Sequence, residues 1–196
     1  AFTGSTAAGR RVGELAGRHL KKVSLELGGK NSLIVLDDAD LELAASNVAW
    51  GAWLHQGQIC MSAGRILVHE GIAGELVRRL ADKANHLPVG NPATDEVALG
   101  PLINAVQVEH CHGIVRDSVA AGAVLEAGGS HEALFYRPTV LSGVTPGMRA
   151  FDYVVVPLMG ISINKIAAMT FAIGSALAAV AGILFGVAYP VLDPYM

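Results

Sequence analysis

Cysteine is scarce in this chain. Only Cys60 and Cys111 occur among 196 residues, which excludes a disulfide-stapled scaffold and fits a reducing compartment. An excess of charge of one sign is also lacking. Fourteen basic and seventeen acidic side chains leave a net charge of −3, so no nucleic-acid partner is expected. The first 22 residues are polar, basic and Gly-rich, and no secretory signal peptide is expected there. No internal repeat is visible. Charge almost vanishes in one stretch: from Tyr153 to Met196 only Lys165 and Asp193 are charged. That imbalance lifts the mean hydropathy to +0.46. The chain opens on Ala1 and runs straight into Phe-Thr-Gly-Ser-Thr, which reads as a start inside a fold.

What is present alternates between strand and helix patterns. Gly4 to Leu20 reads as a helix capped by Ser5 or Thr6, with Val12, Leu15, Ala16 and Leu20 as its apolar stripe. Val23–Leu27 and Ser32–Leu36 read as short strands separated by Gly28-Gly29. Asp37, Asp38 and Asp40 read as turn and cap residues rather than a cation site. Asp40 would cap an apolar helix, Leu41 to Leu54, buried on several sides. Arg65–His69 reads as a strand, Ile72–Ala84 as an amphipathic helix, and Leu87–Leu102 as a Pro- and Gly-rich loop. Ala105–Ala121 is a further helix and Ala123–Glu126 a short strand, and the globular pattern closes at Tyr136–Thr139. Such alternation predicts an α/β fold with a largely parallel sheet.

Ala167 to Tyr189 holds 23 residues without a charge, roughly 34 Å as a helix and enough to cross a bilayer core. Gly174, Ala178, Gly182 and Gly186 recur every fourth residue, a ridge that suits close approach of another membrane helix. A buried helix of a large soluble protein is the alternative. The expectation is a transmembrane helix.

Three motifs could carry chemistry. Phe2-Thr3-Gly4-Ser5-Thr6-Ala7-Ala8-Gly9 places small residues at a helix start, where free N–H groups and the positive dipole end favour a phosphate or ribose. The same residues also cap ordinary helices. Leu25-Glu26-Leu27-Gly28-Gly29-Lys30-Asn31 sets a glutamate at the end of an apolar strand. Burial there would raise its pKa and suit a general base, whereas a surface pair with Lys30 is the bland reading. Gln56-Gly57-Gln58-Ile59-Cys60, followed by Arg65, puts a thiol in a Gly-containing loop. It is either an accessible nucleophile or an inert core cysteine. His110-Cys111-His112 is not a metal site, because residues i and i+2 of a helix project about 200° apart.

Taken together, these motifs resemble the aldehyde dehydrogenase superfamily in sequence, order and separation, with Cys60 34 positions after Glu26. Asn31 to Asp40 and Gly100-Pro101-Leu102-Ile103 are similar to the same family. The resemblance covers residues 1–151. The Gln-Gly-Gln-Ile-Cys-Met-Ser form is similar to members acting on aromatic aldehydes such as benzaldehyde or vanillin. The resemblance implies a Cys60 thiolate that attacks the aldehyde carbon to give a thiohemiacetal. Hydride transfer to NAD or NADP then gives a thioester, and Glu26 activates the water that releases the carboxylic acid. The Cys60 N–H would help hold the oxyanion. Gly4, Ser5, Thr6 and Gly9 would lie along the cofactor, and Leu27 would meet the nicotinamide through its backbone. It further implies a partial aldehyde dehydrogenase-like α/β fold. Residues 1–27 would end the Rossmann-type dinucleotide-binding domain and 28–151 would form part of the catalytic domain. Parent members are cytoplasmic homo-oligomers.

The chain also departs from that family. The upstream oxyanion asparagine and most of the cofactor sheet are not in the sequence. After Phe151-Asp152 the expected Phe-Gly-Pro segment is replaced by Tyr153-Val154-Val155-Val156-Pro157. Residues 157–196 are similar to the permease subunit of a branched-chain amino acid ABC transporter, on Leu158–Lys165, Thr170–Gly174 and Ala178–Gly182. That resemblance implies a chimera joined near residues 148–157. Residues 152–196 would then be a permease-like segment whose helix 167–189 enters the inner or plasma membrane. Little or no dehydrogenase activity is expected of these 196 residues. The rival readings are a permease fragment and a non-functional fusion.

Overall fold

The computed structural model describes residues 1–152 and 161–162. The membrane helix expected over 167–189 and the permease-like resemblance of 157–196 fall almost wholly outside them. Among the described residues no helix is long and apolar enough to cross a membrane.

The chain opens with a strand–helix–strand unit. Strand β1 (Phe2–Gly4), helix α1 (Thr6–Arg18) and strand β2 (Leu25–Leu27) follow one another, and β1 and β2 pair in parallel. The helix crossover makes the parallel pairing possible. Ser5 is the N-cap, its hydroxyl accepting from the Ala8 N–H. A second such unit follows. Strand β3 (Asn31–Val35), helix α2 (Leu41–Trp53) and strand β4 (Ala63–Val68) form another parallel pair. Asp40 Oδ1 accepts from the N–H groups of Glu42 and Leu43 at 2.9 and 3.0 Å, so the acidic run ends in a cap as expected. Helix α3 (Glu70–His86) covers this unit, and strand β9 (Ile161–Ser162) extends its sheet to the order β3-β4-β9. Val35, Val48, Trp53, Ile66, Leu76 and Leu80 form the main core.

Helix α2 departs from the expectation. It buries Ala45, Val48, Ala52 and Trp53, but Leu43 is 61% and Trp50 60% exposed. Among the described residues only one face has a sheet and a helix to pack on, so its apolar composition does not translate into burial all round.

The second half is less parallel than expected. Helix α4 (Ala105–Ala120) leads into β5 (Val124–Ala127), β6 (His131–Glu132), β7 (Phe135–Tyr136), β8 (Val140–Ser142) and the short helix α5 (Arg149–Asp152). Both β5–β8 and β6–β7 are antiparallel. Gly128 and Gly129, both left-handed at φ 75° and 72°, reverse the chain between β5 and β6, a conformation glycine adopts without penalty. The globular pattern therefore continues past Thr139. Val140 and Leu141 are fully buried, with Leu141 packing into a second core beside Ile114, Val115 and Val144.

Candidate active site

Cys60 sits on a short turn that the preceding helix cannot reach by itself. A 3₁₀ turn, Leu54–Gly57, follows α2, and His55, Gln56 and Gly57 are left-handed in succession, at φ 48°, 57° and 72°. This reverses the chain into the turn Ile59–Ser62. That turn is closed twice: the Ser62 N–H donates to the Ile59 carbonyl at 3.0 Å, and the Ile59 N–H to the Ser62 hydroxyl at 3.3 Å. Cys60 and Met61 occupy its apex, and the Cys60 side chain is exposed. An accessible thiol in an exposed turn can act as a nucleophile; a buried one cannot. Cys111 is the buried case, and burial pushes its thiol up to about 11.

Glu26 is the middle residue of β2 and stands opposite Thr3 in the parallel ladder, as Leu27 stands opposite Gly4. The burial expected of Glu26 is not present; the residue is exposed. The strand has only three residues, and no described element covers that side of it. Lys30 is the desolvated group instead. Burial, and then the nearby Arg65 charge, hold its ammonium down at about 8.

One cleft of about 620 Å³ joins the three motifs. Its walls are Thr3 to Thr6, Glu26 to Gly29, and Gly57 to Cys60. Gly4, Ser5, Thr6, Glu26, Leu27 and Cys60 are therefore brought together. Gly9 is not on the wall. It is buried beneath Leu27, where a β-carbon would come within 2.4 Å of Leu27 Cδ2. Its small size permits close packing of α1 on β2. Gln107 and His110, from α4, complete the lining. Sequence reasoning assigned neither to the site, although a separation of three residues puts both on one helix face. Among the described residues no group of three or more acidic, His or Cys side chains could hold a metal ion. His112 instead meets Tyr136 Oη at 3.2 Å and His131 edge-on.

The cleft volume lies in the range of small-molecule sites, on the order of 300–1,000 Å³. A second cavity, between Trp53, Gln56 and Pro138, holds about 40 Å³, room for water rather than substrate. The start of α1 at the cleft wall gives a thirteen-residue helix whose positive end faces the space where an anionic or ribose group would sit. These residues fit a dinucleotide's nicotinamide end next to a thiol.

The model of the Aldehyde dehydrogenase family matches residues 1–155. A vanillin dehydrogenase of Amycolatopsis sp. is 64% identical over 151 residues, covering 77% of this chain and 31% of that protein. The benzaldehyde dehydrogenase [NAD(+)] of Pseudomonas putida is 53% identical over 150 residues, covering 76% of this chain and 31% of that protein. The solved structure of a salicylaldehyde dehydrogenase from Pseudomonas putida G7, complexed with salicylaldehyde, superposes with a TM-score of 0.80 at 38% identity. It covers 85% of this chain and 35% of that one. The chain thus spans about a third of the length of the relatives it matches.

Proposed function

Since the chain belongs to the aldehyde dehydrogenase family, we propose that it carries the nucleophile and base for NAD(P)-dependent oxidation of an aromatic aldehyde to its carboxylic acid. The observation that carries this reading is the single cleft lined by Cys60, Glu26 and the Gly4–Thr6 turn. Names of relatives acting on vanillin, benzaldehyde and salicylaldehyde support the aromatic class. In this reading residues 1–27 form the cofactor side of the cleft and residues 28–151 the catalytic side.

The Cys60 sulfur attacks the aldehyde carbon and holds it, first as a thiohemiacetal and then as a thioester. Its backbone N–H stabilises the oxyanion. Gly4, Ser5, Thr6 and the Leu27 backbone hold the nicotinamide end of NAD or NADP. The chemistry the bound cofactor supplies is hydride acceptance. Glu26, open to the cleft, takes the proton from the water that cleaves the thioester. Its exposure gives that water a path in. Homo-oligomerisation, a cytoplasmic setting for residues 1–151 and membrane insertion of residues 167–189 belong to the same proposal. Sedimentation and resistance to alkaline extraction test the assembly and the insertion.

The direct test is incubation with benzaldehyde and NAD+, followed by peptide mass spectrometry. Turnover by these residues, a third of the relatives' length, is expected to be slight, so the incubation is read at single turnover: Glu26→Gln should accumulate a benzoyl thioester on Cys60, and Cys60→Ser should abolish both the adduct and any NAD+ reduction. NAD+ reduction that survives Cys60→Ser would overturn the assignment.

A further inference from the structure

The turn that presents Cys60 is not held by its own two hydrogen bonds alone. Asn31, the last residue of the Glu26–Asn31 motif and the first of β3, reaches across to it. Its Nδ2 donates to the Cys60 carbonyl at 2.7 Å and to the Ser62 carbonyl at 3.1 Å. The amide NH₂ can bridge two carbonyl oxygens because it carries two donors. The opposite end of the amide, Oδ1, faces Gly29, 3.8 Å from where a β-carbon would stand. Asn31 thus lies between the glycine pair that follows Glu26 and the turn that carries Cys60.

The strand register allows this reach. In the β3–β4 ladder Asn31 pairs with Ala63, but Ser32 pairs with Arg65, so Gly64 is skipped. An extra residue in one strand re-aims the side chains beside it. At Gly64 a β-carbon would meet the Lys30 side chain at 3.0–3.3 Å. The bulge therefore accommodates Lys30 at the point where Asn31 turns toward Cys60.

We propose that Asn31 is a positioning residue for the Cys60 nucleophile, tying the carbonyls of Cys60 and Ser62 to the strand that continues from the Glu26 segment. It is not on the cleft wall and does not touch the substrate space. The proposal rests on the assignment of Cys60 as nucleophile only for its catalytic consequence. The clamp itself is a statement about the turn.

The isosteric change Asn31→Asp keeps the shape and removes the donor, and Asn31→Ala removes both. Amide hydrogen exchange at Ile59 and Ser62, whose N–H groups close the turn, should speed up at least tenfold in both variants. The buried α4 amides around Ile114 should be unchanged, which shows that the chain is folded. In parallel, benzaldehyde protection of Cys60 from iodoacetamide should need at least tenfold more aldehyde in either variant than in the unaltered chain. Unchanged exchange at Ile59 and Ser62 in Asn31→Asp overturns the clamp. Faster exchange together with no aldehyde protection in the unaltered chain leaves the clamp standing and rejects the nucleophile assignment. Faster exchange with protection equal to that of the unaltered chain overturns the positioning role.

Discussion

Leu27 packs so closely on Gly9 that no side chain fits between them. A β-carbon at position 9 would stand 2.4 Å from Leu27 Cδ2 and 2.9 Å from Cδ1. Since Leu27 also lines the cleft, whatever moves its side chain also alters the cleft wall.

Gly9→Ala should therefore cost about 1–3 kcal/mol through overpacking, read as a lower midpoint in urea. Leu27→Ala opens the space that the added methyl group needs. The double variant should be less destabilised than the sum of the two single changes, because the residues are in contact. Strict additivity would show that α1 and β2 move apart instead.

The two cysteines should label differently. At pH 8 iodoacetamide should modify exposed Cys60 and spare Cys111, whose thiol burial has pushed up to about 11. In urea both should react. Peptide mass spectrometry after a short pulse reads the ratio, and equal native labelling would contradict the burial of Cys111.

Lys30 predicts a pH dependence. In the fold its ammonium releases its proton near 8, against an ordinary value of 10.5. Between those values the unfolded chain binds more protons, so stability rises with pH, and this contribution is lost as pH falls through 8. Urea unfolding at pH 7, 8 and 9 should show the rise, and Lys30→Met should flatten it. The Cys111 thiol acts in the opposite direction above about 9, its ordinary value, so measurements up to pH 9 read Lys30. An identical rise in Lys30→Met would assign the effect to another group.

Ser118 joins α4 to α5. Fully buried, its hydroxyl accepts the Ala150 N–H at 2.9 Å. Ser118→Ala strands that donor and should cost about 1–3 kcal/mol, measured by thermal unfolding. A loss below about 0.5 kcal/mol would mean that the Ala150 N–H finds a new acceptor.

Local signals were legible in the sequence. The starts of α1 and α2 at Ser5 and Asp40 were readable because a cap acts within three residues of itself. The strands holding Glu26 and Arg65 were readable from short apolar runs. The convergence of Glu26 and Cys60 was not a matter of spacing, since a separation of 34 positions places no two side chains together. It came from resemblance to a family. Gln107 and His110 reach the cleft from more than forty residues beyond Cys60, and no local pattern marks such a contact. Strands β6 and β7 have two residues each, too few to show a period. The exposure of Glu26 was missed because an apolar strand end reads as buried whether or not anything covers it.

His55 and Gln56 hold backbone angles that ordinary side chains resist, at about 1–2 kcal/mol per residue. The segment that delivers the thiol is therefore held against its backbone preference, with Ser62 and Asn31 tying down its far end. Loosening those ties therefore bears on the backbone that carries the thiol rather than on one side chain.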